Sequence, residues 1–173
     1  MSLDVTIRGA DKLRAVARAL READKVTLGR QLGKAIKDAA KPTLDDLRRS
    51  ARDIKTTGYR KPGATRPFTA VVAPKGTRAK IAAACAAEVR LAGDDPRVRF
   101  RVQPTKLPEP IRTLPRKFDS AGTWRHPVMG NREAWVGQSG DPWFWPPIRD
   151  NIGTFRAEID KALDAVKEKI ERS

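Results

Sequence analysis

Apolar positions along the sequence change period several times, and each change marks an element. Leu3-Asp4-Val5-Thr6-Ile7 alternates apolar with polar and predicts a short strand ended by Gly9. Asp11 follows as a helix cap, and Leu13, Val16, Ala17 and Leu20 make one helical stripe. Thr27 opens a second helix with Leu28, Leu32, Ile36 and Ala39 at helical spacing. Pro42 is expected to kink or interrupt it, with Thr43 capping a restart that carries Leu44, Leu47 and Ala51 on to about Ile54.

Residues 55–76 gather glycines, prolines and basic side chains and read as a loop, with a short strand possible at Thr69-Ala70-Val71-Val72. Thr77 to Ala87 is alanine-rich and reads as a close-packed helix. Glu88–Leu91 and Arg97–Val102 read as a strand pair joined by a turn at 92–96. Residues 103–123 are proline-rich, with a helical turn near Leu114–Phe118. Gly130-Asn131 is a tight-turn signal between Trp124–Val128 and Ala134–Gln138, which predicts a hairpin. Pro146-Pro147 fits the first turn of a final helix, about 147–171. There Ile148, Ile152, Phe155, Ile159, Leu163, Val166 and Ile170 form the clearest amphipathic stripe of the whole sequence.

The expected fold is therefore α+β: a small antiparallel sheet, a long N-terminal helical hairpin, and a C-terminal helix packed across the sheet. A length of 173 residues suits one domain, 1–173. No apolar run approaches the ~20 residues of a membrane helix, and the first ten residues carry no signal-peptide core. A reducing cytoplasm, or a particle assembled there, is the expected setting. Cys85, the single cysteine, reads as a small buried thiol.

Charge then narrows the partners. The net charge is +15, and it is uneven. Residues 1–60 carry +7 and 61–130 carry +9, while 131–173 carry −1. A field of this sign attracts polyanions without saying which. Arg97, Arg99 and Arg101 alternate with Val98, Phe100 and Val102, so a strand would line one face with guanidiniums. Two readings stay open: a half-buried strand with a wet arginine side, or a stripe facing DNA or an acidic partner. Mutual repulsion of the three arginines favours an anionic neighbour.

Catalytic chemistry is hard to assemble from these residues. One His and one Cys make no usual zinc site. His126 and Ser139 come with neither a nucleophile elbow nor an oxyanion loop. Lys75-Gly76-Thr77 lacks the order of a phosphate loop. Asp45-Asp46 and Asp94-Asp95 are adjacent and do not converge on one substrate. The reading is a non-enzyme with no cofactor and no metal.

The most specific stretch is 123–147, which holds all four tryptophans and the only histidine. Its aromatic and proline residues Trp124, His126, Pro127, Trp135, Trp143, Phe144 and Trp145 are the candidate docking surface, toward the domain body or another subunit. At His126-Pro127, the proline forces the histidine into extended geometry and lets the imidazole pin the segment by a hydrogen bond. Arg112-Thr113-Leu114-Pro115, Trp124-Arg125-His126-Pro127-Val128, Gly130-Asn131-Arg132, Trp135-Val136-Gly137-Gln138 and Pro142-Trp143-Phe144 before a long final helix resemble the neck proteins of long-tailed bacteriophages. These are head–tail joining or tail-completion proteins of actinobacterial phages and prophages, similar to the tail-component family of lambdoid phages. The opening Gly9-Ala10-Asp11-Lys12-Leu13-Arg14 is similar too. Pro42 to Ser50 keeps that family's Leu-Arg and Ser but lacks its glycine, and the family's central Glu-Phe-Gly-Thr stretch is missing.

The resemblance implies a virion protein without catalysis, assembled in the host cytoplasm. It implies a self-associated ring, typically a hexamer, stacked between a portal-side stopper or adaptor and the tail terminator or tail tube. Packaged double-stranded DNA passes through the channel, and no membrane is involved. The alternatives are a tail terminator ring and a free-standing basic nucleic-acid-binding protein.

Overall fold

The computed structural model describes residues 3–8, 11–22, 26–55, 57–59, 76–92, 96–128 and 131–172. The fold is α+β, with long N-terminal and C-terminal helices and small antiparallel sheets. In sequence order the elements are β1 (Asp4–Arg8), α1 (Asp11–Glu22), α2 (Val26–Arg52), β2 (Thr57–Tyr59), α3 (Thr77–Ala84), β3 (Cys85–Arg90), β4 (Arg97–Val102), α4 (Leu114–Phe118), β5 (Thr123–Val128), β6 (Asn131–Ser139) and α5 (Trp145–Glu171). Two 3-10 turns, Pro104–Lys106 and Glu109–Ile111, lie between β4 and α4.

The strands form two three-stranded sheets where one was expected, ordered β1-β4-β3 and β2-β6-β5. The second exists because Thr57–Tyr59 pairs with Gly137–Ser139 and adds a strand to the hairpin. This strand lies inside the segment read from sequence as a loop. The possible strand at 69–72 falls outside the described residues.

Helix α2 is one continuous element. Its buried residues Leu32, Ile36, Ala40, Thr43, Leu47 and Ala51 repeat at steps of three and four. Pro42 does not break it. The ring sits off the buried stripe, and its missing N–H costs one backbone bond, to the Asp38 carbonyl. Core contacts hold both halves in line, and Thr43 is buried mid-helix and does not cap a restart. The helix packs most extensively on α5, with α1 against both.

Helix α3 ends at Ala84, three residues before its expected end. Cys85 is already extended (φ −69°, ψ 131°) and pairs with Val102. Alanine favours helix by under about a kilocalorie per residue, and a strand partner for Cys85–Arg90 outweighs that. Gln103 N–H donates to the Ala84 carbonyl at 2.9 Å and closes the junction.

One core joins these parts. Phe100 of central β4 meets Phe155 of α5 edge-on, centroids 5.7 Å apart. Ile148, Phe155, Ile159, Leu163 and Val166 of α5 are buried in the same core as α2 and the first sheet. Pro146 and Pro147 occupy the first turn of α5, where no N–H is needed.

Candidate functional site

The tryptophan segment divides into a buried anchor and an exposed face. Trp143 is 3% exposed and Phe144 2%. Their rings meet edge-on with centroids 5.6 Å apart. The backbone N–H groups of both donate to one carboxylate oxygen, Asp119 Oδ1, at 2.8 Å each. The Trp143 indole N–H donates to the Pro115 carbonyl at 3.1 Å, and the Ser50 hydroxyl donates to the Trp143 carbonyl at 2.8 Å. Trp143 and Phe144, expected at a subunit or partner interface, are placed by the structure inside the core of the chain. Both serve the protein's own core and have almost no surface to offer a neighbour.

The hairpin carries the exposed part. Strands β5 and β6 pair antiparallel, Thr123 opposite Ser139 and Arg125 opposite Gly137, with an irregularity between Pro127 and Val128. Residues 129–130 of the turn lie outside the described residues. Trp124 is half-buried and leans on Phe118, centroids 5.8 Å apart. Trp135 is 49% exposed, and the Arg125 guanidinium carbon stands 6.0 Å from its ring centroid. Gly137 opposite Arg125 has no side chain to keep the guanidinium from reaching diagonally to that ring. Trp145, at the start of α5, is 44% exposed. His126 lies opposite Val136 and Pro127 opposite Trp135. The imidazole hydrogen bond expected of His126 lies outside what is described.

A cavity of about 630 Å³ opens between α2 and α5, floored by Ala35, Ala39, Pro42, Phe155 and Ala162 and edged by Asp38 and Glu158. Each carboxylate has a lysine on its own helix, Lys41 at 2.6 Å and Lys161 at 2.6 Å. The Lys41 hydrogen bond holds the Asp38 carboxyl below its ordinary range. Small residues at Ala35, Ala39 and Ala162 were the available sequence signal for this groove. Arg125 and Asp119 were also missed: Arg125 figures only within the 124–128 motif, with no role of its own, and Asp119 belongs to none of the motifs.

The arginine strand is central in its sheet, with Val98, Phe100 and Val102 buried and the arginines on the other face. Arg99 Nη2 meets Asp4 Oδ2 at 2.7 Å, and Arg101 Nη1 meets Glu88 Oε2 at 3.4 Å. Gln103 donates to the other Glu88 oxygen at 3.1 Å. Arg99 and Arg101, expected to face DNA or an acidic partner, have Asp4 and Glu88 of the same sheet as anionic neighbours. Both acids stand on flanking strands in register with β4, a placement that no single strand of sequence shows.

Among the described residues no group of three His, Cys, Asp or Glu side chains could hold a metal ion, and no helix is long and apolar enough to cross a membrane. No protein-family model, curated protein or solved structure matches this sequence.

Proposed function

We propose that this protein is a structural subunit of the neck of a long-tailed bacteriophage. Copies associate into a ring between the head portal, with its stopper or adaptor, and the tail terminator or tail tube. DNA passes through the ring. The subunit joins or completes the tail and performs no chemistry itself.

The observation that carries this reading is the division of labour within 123–147. Trp143 and Phe144 are locked into the core, while Trp135 and Trp145 of the same segment stay about half exposed. Indoles held out from a rigid support are suited to protein contacts. A head-to-tail ring needs two different patches on each subunit. The Arg125–Trp135 face of the hairpin is one, and the α2–α5 groove is a concave partner for it. The motif resemblance over residues 112–147 supplies the biological setting.

Light scattering on the purified protein tests the association. A closed oligomer is expected, and Trp135→Ala with Trp145→Ala should shift it toward monomer without lowering the melting temperature. A monomer at every concentration, in wild type as in the variant, would overturn the ring.

A further inference from the structure

Helix α2 carries its charge unevenly. Residues 26–41 hold Arg30, Lys34, Lys37 and Lys41 against one acid, Asp38, a net of +3. Residues 42–53 hold three basic and three acidic side chains. Ordinary pairs form there, Arg48 to Asp45 at 3.6 Å and Arg49 to Asp46 at 2.7 Å. The four cations of the first part follow one another at steps of four, three and four residues. Such steps bring them within about 60° of one line on the helix, over a length of about 16 Å. All four are exposed, while Leu32, Ile36 and Ala40 bury the other side of the same turns.

This placement is unfavourable to the helix by itself. Each step along the line is a like-charge pair at i,i+3 or i,i+4, which destabilises a helix. No acid sits in the first turn to meet the positive end of the helix dipole. Asp38 bonds Lys41 at 2.6 Å, and the charge of Lys34 also acts on its carboxylate. One carboxylate does not match four cations. Among the described residues no salt bridge joins Arg30, Lys34 or Lys37 to an acid. An external row of anions against this line would replace the repulsions by attraction.

We propose that the Arg30–Lys34–Lys37–Lys41 stripe is a contact for the phosphate backbone of a duplex nucleic acid. Phosphates recur along each strand every ~3.4 Å of duplex axis, so a straight line of cations meets several at once. Lysine ammoniums on flexible stems take phosphate as point charges, with no demand on base sequence. The apolar side of α2 is held in the protein's core, so the helix has no face left to sink into a bilayer surface. No aromatic side chain lies among residues 26–41 to anchor a protein partner. The net charge of +15 draws a polyanion in the same sense. This inference does not rest on the ring: a single subunit carries the whole stripe.

Fluorescence anisotropy with a labelled duplex DNA, across a salt series, tests it on the full-length protein. Arg30→Gln with Lys34→Gln and Lys37→Gln is expected to weaken binding at least ~10-fold and lower the salt slope by about three, one per lost phosphate contact. Glutamine is a good helix former, so the melting temperature should hold or rise as the repulsions go. Lys106→Gln with Arg116→Gln and Lys167→Gln removes the same charge from exposed sites elsewhere. That variant is expected to bind within about threefold of wild type. Lys34→Ala with Lys37→Ala should lower the slope by about two, and it keeps the stripe testable if the triple variant unfolds. Wild-type affinity and slope in the stripe variants would overturn the proposal. So would an equal loss in the variant altered elsewhere, or tighter binding of polyglutamate or of phosphatidylserine vesicles than of DNA by wild type. Light scattering on the same samples keeps the ring separate, because a monomer that binds DNA through α2 would sink the ring and leave this inference standing.

Discussion

The indole N–H of Trp143 donates to the Pro115 carbonyl at 3.1 Å, in a place where both residues are buried. The bond ties the start of the final helix to α4, twenty-eight positions earlier. Trp143→Phe keeps most of the volume but removes one of two donors to that carbonyl, which still accepts the Asp119 N–H at 3.1 Å, an expected cost of about 0.5–1.5 kcal/mol. Trp143→Ala adds a cavity and should cost about 3–5 kcal/mol. Urea unfolding measures both, and a loss below about 1 kcal/mol for the alanine variant would mean the site collapses freely.

Asp119 is the other half of this lock. One carboxylate oxygen accepts both the Trp143 and the Phe144 N–H. Asp119→Ala should destabilise by about 2 kcal/mol, the range for a charged acceptor withdrawn from part-buried donors. Asp119→Asn keeps an oxygen in place and should lose less. Equal losses in the two variants would show that charge, not the acceptor position, holds the segment.

Two glycines should respond in opposite directions. A Cβ at Gly140 would lie 2.3 Å from the Phe118 carbonyl oxygen and 2.7 Å from that of Lys117. Both are backbone atoms and cannot swing aside, so Gly140→Ala should cost about 3 kcal/mol. At Gly153, inside α5, nothing stands within 4 Å. Gly153→Ala should stabilise by about 0.5–1 kcal/mol. Thermal melts of the two variants decide this, and a shift of the same sign in both would contradict it.

Cys85 makes stability depend on pH. Burial pushes its thiol from the ordinary 9.0 up to about 12, only partly opposed by the positive charge of Arg48. A raised folded-state value means the unfolded protein loses its proton first. The contribution of the thiol is complete below 9.0 and disappears as pH rises toward about 12. Compared with Cys85→Ala, wild type should lose stability over that window with a slope approaching ~1.4 kcal/mol per pH unit. Parallel pH profiles for the two proteins would refute this. At neutral pH the native thiol should also resist alkylation until the protein unfolds.

Much of this architecture was legible in the residue pattern. The α5 stripe from Ile148 to Val166, the β4 alternation and the hairpin around 130 all follow from periodicity and turn chemistry. What could not be read locally was decided by distant partners. Pro42 stays helical because α2 is held from its buried side. Cys85–Arg90 leaves the alanine helix because β4 offers a partner, and Thr57–Tyr59 becomes a strand because β6 does. Within 123–147 the sequence did not show which rings are buried and which are exposed. Nothing local tells Trp143, under the Asp119 carboxylate, from Trp145, two residues on and in water.

A building block of a virus neck must be found in the virus particle, at one place. Gold-labelled antibody against this protein, applied to purified particles from the cell that encodes it and viewed by electron microscopy, tests that directly. Label at the junction of head and tail is predicted, with peptides of the protein recovered from the same particles. Particles with heads and tails complete but free of the protein would contradict the account.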